Sequence, residues 1–290
     1  NQLEQLDVSH LKLEYLYCSH NDLEQLDVKN SIFLVTLNCS ANQLTELDVD
    51  VTHKPNLERV ECQNNQLTSL ILGQNKLLKK LNCAHNQLTQ LNLNNMISLK
   101  DLNCFNNQLT VLDVSDSPEL TILWLKNNHL TSLNLDNNPN LNFTYTDFYN
   151  SDFNNVYTVT LNPDRTFDLS TLPGNFDKSR VTGWEHGKAN GNILTVDEGT
   201  NVVYYAYKCR SDILEVSFKL DVTGTGGTVP PVTPPEPPVT PPSGGGDGGG
   251  AIVIVAAVGA AATGVVGYGV YNYVSGRKLQ ALLPEGVAAP

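Results

Sequence analysis

The chain holds 290 residues, with 18 Lys and Arg against 30 Asp and Glu, a net charge of −12. All of its charged side chains except Arg277, Lys278 and Glu285 precede residue 251. An acidic surface of this kind speaks against nucleic acid as a partner, because phosphate binding needs a basic footprint, and against docking on anionic lipid.

Chain order begins with a repeat. Cys18, Cys39, Cys62, Cys83 and Cys104 each stand three residues ahead of an asparagine: Asn21, Asn42, Asn65, Asn86 and Asn107. Each pair sits in the frame Leu-x-x-Leu-x-Cys-x-x-Asn-x-Leu, with Val60 for the second Leu in the third copy. A sixth copy carries Leu125 and Asn128 in the same places. This period and signature predict an α/β-type leucine-rich repeat solenoid over residues 1–142, with a parallel β-sheet on its concave face. The chain starts in mid-repeat, so its N-terminus reads as truncated.

Each repeat has two apolar ledges, for example Leu34, Leu37 and Cys39, then Leu44, Leu47 and Val49. The cysteines recur in register among leucines, so they read as buried thiols packing as small hydrophobes, not as disulfides or metal ligands. The asparagines read as an interior ladder in which amides satisfy backbone groups of adjacent turns. Two extra residues between Val49 and Leu57 predict a bulge beside the third turn.

The Leu-x-Cys segment alternates in and out as a short strand does. Its outward columns are Tyr15, Thr36, Arg59, Lys80, Asp101 and Ile122, then Tyr17, Asn38, Glu61, Asn82, Asn103 and Trp124, then Ser19, Ser40, Gln63, Ala84, Phe105 and Lys126. The large or charged members, Tyr15, Tyr17, Arg59, Glu61, Lys80, Asp101, Phe105 and Trp124, are the candidate ligand-binding residues, because Trp, Tyr and Arg are enriched at binding hot spots. Two plainer readings stand beside this one. The opposite charges pair across strands, and Phe105, Ile122 and Trp124 pack on one another or under a C-terminal cap.

Beyond Leu141 the pattern fades. Residues 143–222 hold β-branched and aromatic runs separated by turns such as Asn162-Pro163-Asp164 and Asn190-Gly191-Asn192. They predict a small all-β, immunoglobulin-like sandwich that caps the solenoid. Residues 223–250 are a disordered linker, a Pro-rich spacer followed by a Gly-rich joint. Residues 251–274 carry no charge and match one transmembrane helix in length. Arg277-Lys278 follow, so 275–290 reads as a cytoplasmic tail with the repeats outside the cell.

The phrase Leu37-Asn38-Cys39-Ser40-Ala41-Asn42-Gln43-Leu44-Thr45-Glu46-Leu47-Asp48-Val49 resembles the repeat of bacterial cell-surface leucine-rich repeat proteins. The layout over residues 1–222 resembles the internalins. Leu283-Pro284-Glu285-Gly286 departs from the sortase signal of that group. The resemblance implies exposure on the cell surface and a partner that is a protein or a glycan on another cell or in the envelope. The alternative is a structural envelope component using the repeats as spacer or self-association surface. No catalytic, metal or cofactor constellation is found, and the chain is expected not to be an enzyme.

Overall fold

In the computed structural model, residues 2–50, 54–142, 155–210 and 214–224 are described, together with three short backbone strands near the C-terminus. Residues 51–53 within the bulge expected between Val49 and Leu57, residues 143–154 and most of the linker lie outside the described residues.

The repeats form strands β1 (Tyr15–Tyr17), β2 (Thr36–Asn38), β3 (Glu46–Asp48), β4 (Arg59–Glu61), β5 (Ser69–Ile71), β6 (Lys80–Asn82), β7 (Asp101–Asn103) and β8 (Ile122–Trp124). β1, β2, β4, β6, β7 and β8 pair in parallel and in register, so Tyr15, Thr36, Arg59, Lys80, Asp101 and Ile122 form one row. β3 and β5 pair in parallel on the second ledge. The result is a parallel β-solenoid.

The chain takes this path because every turn puts its leucines and its cysteine inside. Leu16, Leu37, Val60, Leu81, Leu102 and Leu123 are wholly buried, as are Cys18, Cys39, Cys62, Cys83 and Cys104. Each such leucine contributes about 1.5–3 kcal/mol by leaving water. All six cysteines are free and buried. Burial pushes the Cys83 thiol up to about 12, and Cys62, Cys83 and Cys104 point their Sγ at the carbonyls of Asn82, Asn103 and Trp124 at 3.5, 3.5 and 3.4 Å.

The asparagines do form the interior ladder. Asn86 Nδ2 donates to the carbonyls of Cys62 and Cys83 at 3.1 and 3.0 Å, and its Oδ1 accepts from Leu67 N at 2.9 Å. Asn42, Asn65, Asn107 and Asn128 repeat the pattern. One amide thus ties two turns at three points.

The α/β expectation fails in its first half: the described residues contain no α-helix. A period of about 21 residues closes its return path with turns instead. Ser9, Lys29, Asp50, Asn94, Ser115 and Asp136 each donate their backbone N–H to the Asp or Asn two residues earlier, the local bond by which Asx side chains displace helix. A second recurrent device is a left-handed residue just before each ladder asparagine. His20, Ala41, Asn64, His85, Asn106 and Asn127 have φ between 52° and 57°, a region tolerated best by Asn and rare for Ala.

One more inward column is chemically mixed: Ser31, Lys54, Asn75, Met96, Ser117 and Asn138 are all buried. Lys54, at the end of the two-residue insertion, is 1% exposed. Burial lowers its pKa, and Asp48, Asp27 and Asp50 partly offset this.

Seven further strands follow: β9 (Val156–Thr160), β10 (Thr166–Asp168), β11 (Val181–Glu185), β12 (Gly187–Asn190), β13 (Ile193–Val196), β14 (Val202–Arg210) and β15 (Leu214–Thr223). They make one sheet in the order β11-β14-β15-β9 and another in the order β10-β13-β12. The predicted turns hold: Arg165 N bonds the Asn162 carbonyl at 2.9 Å, and Gly191, at φ 62°, turns β12 into β13. Tyr205 stacks on Phe218 at 5.6 Å and meets Trp184 at 5.1 Å, with Phe176 and Tyr207 around them.

This β unit continues the solenoid core. Asn155 makes the next rung: its Nδ2 donates to the Leu125 carbonyl at 3.3 Å and its Oδ1 accepts from Leu130 N at 3.2 Å. Tyr205 Oη donates to the Thr131 carbonyl, Leu135 N to the Cys209 carbonyl at 2.8 Å, and Arg180 pairs with Asp136.

The transmembrane-helix expectation is not met where 251–274 is described. Residues Ile254–Val258 form β16 and Gly267–Asn272 form β17, with Gln280–Leu282 as β18. β16 pairs antiparallel with β1 and with β17. The residues explain the change: Ile252-Val253-Ile254-Val255 is β-branched, and Gly259, Gly264, Gly267 and Gly269 disfavour helix. Among the described residues no helix is long and apolar enough to cross a membrane.

Candidate functional site

The outward face of the six parallel repeat strands carries the candidate residues, on or beside strands whose middle residue is buried. Two rows cross it. The charged members gather in the middle. Arg59 bonds Glu61 at 2.5 Å, and Lys80 lies 3.9 Å from Glu61 and 3.2 Å from Asp101. Asn38 Nδ2 donates to the other Glu61 oxygen at 3.1 Å. The plainer reading of these charges therefore describes the geometry. Arg59, Glu61, Lys80 and Asp101 neutralise one another across β4, β6 and β7, and exposed pairs of this type contribute about 1 kcal/mol or less.

The aromatic candidates sit at the two ends. Tyr15 and Tyr17 are on β1, and Tyr17 is 37% exposed. Trp124 ends β8 and is 38% exposed. Five strand spacings separate the two ends, roughly 24 Å at ~4.8 Å each. Phe105, half-buried just after β7, meets the His85 ring edge-on at 5.0 Å. His85 Nδ1 in turn lies 3.0 Å from Asn106 Nδ2. Partial burial lowers the His85 pKa, which favours the neutral ring.

Sequence reasoning passed over the amides between these groups. Asn82 Oδ1 accepts from Ala84 N at 3.2 Å and Asn103 Oδ1 from Phe105 N at 3.1 Å. Both side chains are oriented by their own turns. The signal was an asparagine two residues ahead of the backbone N–H that donates to it, masked by the abundance of asparagine in the repeat. Among the described residues no group of three metal-ligating side chains converges. A polar cavity of about 480 Å³ lies apart from this face, lined in part by Ser170, Asn175, Asp177, Lys178 and Asn192.

In comparison with known proteins, the chain is similar to the functional domain of InlJ from Listeria monocytogenes, a structure described as including a cysteine ladder. Identity is 22%, the match covers 77% of this chain and 60% of that one, and the TM-score is 0.43. The chain thus spans 60% of the length of that structure. A likeness of this size decides nothing about what the chain binds. No protein-family model and no curated protein matches it.

Proposed function

We propose that this chain is a bacterial surface protein, internalin-like in layout, that binds a protein or glycan through the outward face of its parallel sheet. The observation that carries this reading is Trp124, a large aromatic left 38% exposed on a strand whose register is fixed on one side by β7. An exposed Trp on a rigid platform is the kind of anchor around which binding energy concentrates. The acidic charge of −12 supports a partner other than nucleic acid.

The remaining parts of the reading follow the same layout. The two sheets of the β unit serve as an immunoglobulin-like cap, supported by their alternating burial and by the Asn155 rung. The uncharged stretch 251–274 serves to attach the chain to the membrane, with the repeats outside. Fractionation of cells expressing the full chain, beside a chain ending at residue 250, tests this. Retention of both forms in the membrane fraction would remove the anchor from the proposal.

The binding test immobilises the full chain and passes extracts of surface proteins and glycans over it. A ligand captured by the native chain and lost with Trp124→Ala or Tyr17→Ala is the expected result. Capture unaffected by either substitution would sink the assignment of the face. Reversible self-association in sedimentation, without any ligand, would move the reading to an envelope structural role.

A further inference from the structure

Resting on the reading that the outward face binds a ligand, we infer that its β6–β8 end is a site for a neutral carbohydrate, with Trp124 as stacking platform and Asn82 and Asn103 as hydrogen-bond donors.

The inference grows from how each side chain is held. Asn82, Asn103 and Trp124 are paired partners on three adjacent strands. They therefore stand in a line, about 4.8 Å apart from strand to strand, a spacing on the scale of one sugar ring. The two carbonyl oxygens of the asparagine side chains are occupied by Ala84 N and Phe105 N. These bonds fix the amide planes and leave each Nδ2 a donor without a protein partner among the described residues. Trp124 Nε1 has no acceptor among them either. Groups fixed before the ligand arrives bind with less loss of rotamer freedom.

The row itself supplies a contrast. Asn38 occupies the same column on β2, and its Oδ1 accepts from Ser40 N at 3.1 Å, but its Nδ2 is already given to Glu61. That donor is satisfied internally, while Asn82 and Asn103 retain theirs beside an exposed ring. Hydroxyl-rich, uncharged ligands with an apolar ring face fit such a pairing of amides and indole. Arg59, Glu61, Lys80 and Asp101, toward the middle of the face, are paired with one another, so this cluster offers no clamp for an ionic ligand. The net charge of −12 repels sulfated or carboxylated glycans at long range.

The test titrates the full chain, by calorimetry, with linear neutral oligosaccharides of β-linked glucose, N-acetylglucosamine and galactose. Trp124→Ala is expected to weaken binding of the recognised probe about tenfold or more. Asn82→Asp and Asn103→Asp keep the turn acceptor and replace the donor with a charged carboxylate oxygen. Each is expected to weaken binding about threefold or more with an unchanged melting curve. Tyr17→Ala, at the far end, is expected to leave it unchanged.

Failure of every neutral probe to bind would overturn the carbohydrate assignment. Trp124-dependent capture of a protein or an acidic glycan would then leave the face reading standing. Binding of a neutral probe that Trp124→Ala and both Asp variants leave intact would overturn this site as well.

Discussion

The solenoid and the β unit solve the same problem, burying backbone without leaving it unpaired, in opposite ways. The β unit uses long antiparallel strands, β14 and β15 pairing from Val202↔Asp221 to Arg210↔Leu214, and fills its interior with rings. The solenoid uses three-residue strands and almost no aromatic core. It relies on one amide per turn to reach what those strands leave over. A short strand dictates little about its outward residues. The solenoid face is therefore free to vary from turn to turn, while its interior is not.

The largest expected effect breaks the interior. Asn86→Ala leaves the carbonyls of Cys62 and Cys83 and the N–H of Leu67 short of a partner in a buried place. Its cost is expected at about 3–5 kcal/mol, read from denaturant unfolding of the full chain. A loss below about 1 kcal/mol would mean that the ladder is not what holds adjacent turns.

Next comes the join between the regions. Tyr205→Phe keeps the ring stack with Phe218 and removes the hydroxyl bond to the Thr131 carbonyl. About 1–2 kcal/mol is expected to be lost. If the β unit alone loosens, as seen by hydrogen exchange in β14 and β15 with the repeats unchanged, the two regions are less tightly coupled than their shared core implies.

A smaller effect has the opposite sign. Lys54 occupies the column filled by Met96 two turns later, and both are buried. Lys54→Met is expected to leave stability unchanged or to raise it by about 1 kcal/mol, because a hydrophobe replaces a desolvated ammonium. The pH dependence separates this from packing. The folded-state pKa of Lys54 is lowered from 10.5, so below that value the unfolded chain holds the proton more tightly. The penalty is present at neutral pH and fades as pH rises toward 10.5. Any advantage of Lys54→Met should shrink over that rise. An advantage that stays constant would point to shape alone.

Smallest is the left-handed residue before each asparagine. Ala41 has φ 52° where neighbouring turns carry Asn or His. Ala41→Gly is expected to raise the unfolding free energy by about 0.5–1 kcal/mol of relieved strain net of chain entropy. A loss would show that the methyl group contributes packing that outweighs the strain.

What the sequence discloses divides along the same line. The inward leucines, the thiols and the asparagine ladder are legible because a fixed period repeats the same physical demand, and the structure fills each place as the period requires. The β unit is legible as strands and turns, because Val, Tyr and Ile runs bounded by Asn-Gly or Pro-Asp leave few other options. The return path was misjudged as helical. Asp27, Asp48 and Asp113 were visible, but their Asx turns become apparent only when the backbone N–H two residues on is seen to bond them. In segment 251–274 length and lack of charge suggest a helix, and neither weighs the glycines and β-branched residues found in its described strands. Asn155 escaped notice because no cysteine stands three residues before it. On the face, charge and ring size drew attention to Arg59 and Lys80, which pair with Glu61 and Asp101. The amides of Asn82 and Asn103 look ordinary until their carbonyl oxygens are seen to be engaged.

The Asn155 rung has a consequence for descent. Its amide answers to the Leu125 carbonyl and the Leu130 N–H, the same two groups that any turn presents to its successor. At this rung the final block thus meets groups that any turn carries, while the Arg180–Asp136 pair is a contact particular to the last turn. A gene of this kind can gain or lose one period by unequal crossing-over without redesigning its closing piece, and each exchanged period carries its own row of outward side chains. Reach and outward surface then vary as interchangeable modules on an invariant spine.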